Sequence, residues 1–114
     1  ETTNEQLRQY YPQNSKVLSD YACFALYHQN DPDKALQLAQ DAVYTLSFDG
    51  HAQSILALVH WYGFQNQVAM EASLQVLRSL NYETALTRRL HRDLRDQRTK
   101  LPPSPLDVNY EKPF

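Results

Sequence analysis

Residues 17–46 read VLSDYACFALYHQNDPDKALQLAQDAVYTL, and their spacing decides the fold class. Leu18, Ala22 and Leu26 recur at helical intervals with Tyr21 and Cys23 beside them, which predicts a helix over 17–29. Asn14 and Ser15 are suited to cap its start. Asp31 and Pro32 follow. An aspartate at the cap accepts from free helix N–H groups, and proline at the first helical position loses no hydrogen bond. A second helix is predicted over 32–46, with Ala35, Leu38, Ala39, Ala42, Val43 and Leu46 inward. Residues 47–50 read as a turn. The unit is therefore a helical hairpin.

The pattern returns downstream. A third helix is predicted over 52–62, ended near Gly63, and a fourth over 65–80. The fourth carries Ala69, Ala72, Ser73, Val76, Leu77 and Leu80 on its inner stripe. A shift of 34 residues lays Ala22 on Leu56, Cys23 on Ala57, Phe24 on Leu58 and Tyr27 on Trp61. The same shift lays Ala35 on Ala69, Ala39 on Ser73, Ala42 on Val76 and Leu46 on Leu80. A period of this length marks stacked helical hairpins. Small residues fall where the two helices of a hairpin must approach closely.

Residues 16–80 resemble the tetratricopeptide repeat (TPR), a helix-turn-helix unit of 34 residues. The family's small and aromatic packing positions fall on Cys23, Ala35, Ala39 and Ala42, then on Ala57, Ala69, Ser73 and Val76. Its usual tryptophan, glycine and proline are replaced by Ser19, Cys23 and Ser47, and by Gln53, Ala57 and Asn81. The resemblance implies an all-α fold of antiparallel hairpins, stacked as a short right-handed solenoid with repeats over 16–49 and 50–83. It also implies a protein–protein interaction module, an adaptor, chaperone or scaffold. Residues 4–11 read as the second helix of a preceding repeat. The chain starts at Glu1 rather than Met, so a piece of a longer array is expected.

After Asn81 the character changes. A fifth helix is predicted over 83–100 with Leu86, Leu90 and Leu94 as its apolar stripe. Its other faces are charged, as the capping helix of a solenoid requires. The helical domain is thus placed at 1–100, and a proline-rich extended tail at 101–114 with Pro102, Pro103, Pro105 and Pro113. Leu106, Val108, Tyr110 and Phe114 are its candidate anchors, on its own domain, on a neighbour's groove or on a partner chain. Self-association through this tail is one expectation.

Composition narrows the function classes. The 114 residues make one domain or part of one, and 42% hydrophobic with 21% charged residues suits a folded core. Only Gly50 and Gly63 are glycines, which argues against turn-rich β folds. A net charge of -2 gives no general pull toward nucleic acid or membrane. No apolar run is long enough to span a bilayer. Cys23, the single cysteine, excludes an intrachain disulfide and leaves cytoplasm and periplasm both open. His28, His51, His60 and His91 have no metal-ligand spacing, and no cofactor motif is present. His91-Arg92-Asp93-Leu94 spells the start of a kinase catalytic loop, but Arg98 stands where that loop needs asparagine, and there is no glycine-rich loop. No catalytic role is expected. Arg88, Arg89, Arg92, Arg95, Arg98 and Lys100 cluster, yet Asp93 and Asp96 interrupt them, so nucleic acid is not the expected partner.

On the TPR register, the concave surface falls on Val17, Asp20, Phe24 and Tyr27, then His51, Ser54, Leu58 and Trp61. The resemblance therefore implies a partner-binding groove that includes Asp20, Phe24, Tyr27, His51, Leu58 and Trp61, with aromatic side chains as anchors. The fifth helix continues the register through Ala85, Arg88, Arg92 and Arg95. Their spacing sets the three arginines on one face, suited to acidic groups of a partner. The asparagines and lysine of the carboxylate clamp found in some TPR domains are not supplied by Asp20, Tyr21 and Phe24. The other readings are a structural subunit of a secretion, pilus or envelope assembly, and the C-terminal sensory or regulatory domain of a longer protein.

Overall fold

A computed structural model describes residues 14–108 and 110. The helices are α1 (Ser15–Tyr27), α2 (Pro32–Thr45), α3 (Gly50–Leu58), α4 (Gln67–Ser79) and α5 (Ala85–Arg95). A π-helical turn, Val59–Gly63, prolongs α3. Among the described residues there is no strand, so the fold is all-α. The helix read over 4–11 lies outside the described residues.

Each helix begins where a side chain accepts from its first turn. Asn14 accepts from the Val17 amide, Asp31 from Lys34, Asp49 from His51 and Asn66 from Ala69. Thr84 and Thr87 cap α5 reciprocally. The ends explain the scarcity of glycine. Asn30, Gln65, Asn81 and Gln97 all take the left-handed backbone that glycine usually supplies. At two of them the chain closes on a carbonyl five residues back, Tyr82 N to Leu77 O at 3.1 Å and Arg98 N to Asp93 O at 2.7 Å. The second closure stops α5 at Arg95, short of the predicted Lys100.

α1 packs along α2 and α3 along α4. α3 also touches α1 and α2, and α5 rests on α3 and α4. Ala22, Ala25, Ala35, Ala39, Ala42, Ala52 and Ala57 are fully buried at these crossings. Their small side chains let the backbones close in, while Leu18, Leu38, Ile55, Leu58, Met70, Leu74, Leu77 and Leu90 fill the space between. The radius of gyration, 13.1 Å, is that of a compact domain of about this length.

The register differs from the predicted one. The caps recur at a 35-residue spacing, Asn14 with Asp49 and Asp31 with Asn66. Buried positions follow the caps: Ala35 with Met70, Leu38 with Ser73, Ala39 with Leu74, Ala42 with Leu77. The inner face of α4 is therefore Met70, Ser73, Leu74 and Leu77, and Ala72 points to solvent. Leu46, expected inward, is 53% exposed because α2 ends at Thr45 and Leu46 turns out of the helix as its cap.

Candidate interaction groove

α1 and α3 lie side by side, and the segment after α5 crosses both. Trp61, in the π-turn, donates its indole N–H to the carbonyl of Arg98 at 2.7 Å. Tyr27, near the end of α1, donates its hydroxyl to the carbonyl of Pro102 at 2.8 Å. Tyr110 donates to the carbonyl of Pro103 at 2.6 Å. Its own carbonyl accepts from the Ala85 amide at 3.3 Å, an N–H left free at the start of α5. Pro102 and Ser104 are buried beneath this segment. At Ser104 the chain turns: its carbonyl accepts from Asp107 and Val108, and its hydroxyl from the Leu106 amide.

The expected groove residues are placed differently from one another. Tyr27 and Trp61 are brought together by the tail that bridges them. Asp20 and His51 line a cleft of about 730 Å³ at the other end of α1 and α3. Ser54, Tyr82 and Leu86 share that lining, and the turn at Pro105 to Val108 forms the far wall. Phe24 is 40% exposed and aligns with Tyr21 and His28 along α1, ring centroids 6.1 Å and 5.2 Å away. Leu58 is fully buried in the core. Arg88, Arg92 and Arg95 do share one exposed face of α5, and each pairs locally. Arg88 meets Glu83 at 3.5 Å, Arg95 meets Asp96 at 3.1 Å, and Arg92 Nε lies 3.8 Å from Asp93. None of the three lines the cleft. Arg89, one position over, borders the tail together with Tyr27, Pro102 and Pro103.

Electrostatics keep the donors protonated. Burial raises the Tyr27 hydroxyl well above the usual phenol range and shifts that of Tyr110 in the same direction. Burial pushes Asp20 up, but hydrogen bonds from His51 and Lys16 outweigh it, and its carboxyl ends below the ordinary value. Lys16 Nζ lies 3.1 Å from Asp20 and His51 Nε2 3.6 Å. Cys23 is buried in the core, and that burial pushes its thiol up to about 12. No group of three His, Cys, Asp or Glu among the described residues is placed to hold a metal ion. No described helix is long and apolar enough to cross a membrane.

One network was missed by the sequence reading. Asp93 is 1% exposed, and one of its oxygens accepts from the Tyr62 hydroxyl at 2.5 Å and from Arg89 Nε at 3.0 Å. This ties α5 to the π-turn. The available signal was a charged residue three positions after Leu90, on the side of α5 that carries its leucines.

Comparison of the chain with protein-family models, with curated proteins and with solved structures gives no match.

Proposed function

We propose that the chain is a TPR-like interaction module that holds a segment of another polypeptide across the face formed by α1 and α3. The observation that supports this reading is the pair Tyr27 and Trp61. They correspond only in the predicted 34-residue register, since caps 35 residues apart pair Tyr27 with Tyr62, but both aim side-chain donors at main-chain carbonyls of the segment after α5. Backbone carbonyls are common to every polypeptide, so donors placed this way suit binding of a chain segment in extended form. The proposal includes stacking of the hairpins as a right-handed solenoid, with α5 as its cap.

The test is calorimetric titration of the full chain carrying Pro102→Asp with a peptide of residues 98–110. Pro102 is buried, and a carboxylate there releases the tail by its desolvation cost. Saturable binding to the variant, lost when Trp61 is also changed to Phe, is the expected result. A folded variant that takes up no peptide rejects the module reading.

A further inference from the structure

We infer that the segment this groove takes is proline-rich, and that residues 101–105 of the chain are its resident competitor. This rests on the module reading above and adds the ligand's chemistry and its regulation.

Proline has no N–H, so a proline-rich strand offers acceptors and apolar rings but few donors. The groove is complementary to that. What it presents to residues 101–105 is the ring and donating hydroxyl of Tyr27, bonded to the Pro102 carbonyl, while the Trp61 indole N–H donates to the Arg98 carbonyl just ahead of them. The groove holds the carbonyls of Arg98 and Pro102, and the Pro103 carbonyl accepts from Tyr110 of the tail itself. Tyr and Trp donors on apolar rings are the chemistry by which extended polyproline segments are gripped generally. Such segments lose little conformational entropy on docking because their φ angles are already set.

The burial pattern gives the specificity. Pro102 and Ser104 are buried, whereas Leu101 and Pro103 between and before them are exposed. The site therefore selects proline at the first place and a small residue two positions later. The intervening Pro103 is exposed and its carbonyl is bonded within the tail, so the site does not read that position.

The tail is tethered a few residues from α5, which gives it an effective concentration on the order of 1 mM. A free ligand of equal intrinsic affinity, about 0.1 mM, is then weakened about tenfold. The tail thus sets a threshold that only a tighter or more abundant proline-rich segment passes.

The test is selection of peptides from a random display library by the full chain carrying Pro102→Asp, checked for native helicity by circular dichroism. The expected peptides carry proline followed two places later by a small residue. They compete with the free 98–110 peptide, they are weakened by Tyr27→Phe, and they bind the unmodified chain about tenfold more weakly. Enriched peptides without proline overturn the ligand class and leave the module reading standing. No enrichment by a folded variant removes both. A concentration-dependent dimer of the unmodified chain, abolished by Pro102→Asp, assigns the site to the tail of a second copy and overturns the inference. Should the variant not fold, the unmodified chain is given the pentapeptides LPPSP and LAASA at millimolar concentration. A change in Trp61 emission with the first alone supports the inference, and equal responses overturn it.

Discussion

Asp93 shows what a single side chain holds in this protein. Its carboxylate is buried, and Tyr62 and Arg89 both donate to Oδ2, while Oδ1 has no hydrogen bond and lies 3.8 Å from Arg92 Nε. Tyr62→Phe removes a hydrogen bond to a charged acceptor and is expected to cost about 2 kcal/mol in urea unfolding. The combined change of Arg88, Arg92 and Arg95 to Ala is expected to cost less than about 1 kcal/mol, since exposed pairs contribute little. The contrast follows from burial, not from the number of charges. Histidines give the pH response. Burial holds His60 below its ordinary 6.5, and burial with the nearby Arg78 charge does the same for His91. The unfolded chain then takes up protons near 6.5 that the folded one does not. Stability is expected to fall as pH drops from about 7 to about 5, and the double change of His60 and His91 to Gln should flatten that slope. At this scale the sequence was partly legible. Cys23 was readable as a core thiol because it stands among small inward residues. The role of Asp93 was not, because a carboxylate on a leucine face looks like an interruption until its partners, Tyr62 from another helix above all, are in view.

At the scale of elements, caps were the clearest signal and register the weakest. Asn14, Asp31 and the proline after it marked helix starts that the structure bears out. The 34-residue spacing paired Tyr27 with Trp61, yet the caps and buried faces of the hairpins follow 35, which pairs Tyr27 with Tyr62. A slip of one residue moves a helix face by about 100°, which is why Ala72 was read as inward and Met70 was not. The π-turn was invisible in the pattern too. A widened turn has no apolar periodicity of its own; here Trp61 and Tyr62, both within it, are hydrogen-bonded to the tail and to α5. Gly50 illustrates a constraint of position. A Cβ built there would lie 2.2 Å from the Tyr82 ring, whereas at Gly63 the nearest atom is 3.4 Å away. Gly50→Ala is expected to cost about 1–3 kcal/mol by forcing that ring aside. Gly63→Ala should be near neutral, and paired urea titrations separate the two.

At the scale of the molecule, the tail is part of the fold. Its described residues, 101–108 and 110, form no helix but turn at Ser104 where an extended run was expected, and of the three resting places left open they lie on their own domain. The expected anchors fare unequally. Tyr110 is half-buried and bonded at both its hydroxyl and its carbonyl, Leu106 and Val108 stay exposed, and Phe114 lies outside the described residues. Main-chain carbonyls carry most of the attachment, and those are present in every sequence, so composition could not point to them. The central claim is that the face of α1 and α3 is a binding site occupied by this tail. Trp61 is the only tryptophan and is 3% exposed beneath the tail, so its emission reports occupancy directly. In the full chain carrying Pro102→Asp, with helicity unchanged, emission should shift to the red. Free 98–110 peptide should return it saturably toward the starting wavelength. An unshifted emission in the folded variant, or a shift that the peptide does not reverse, contradicts the claim.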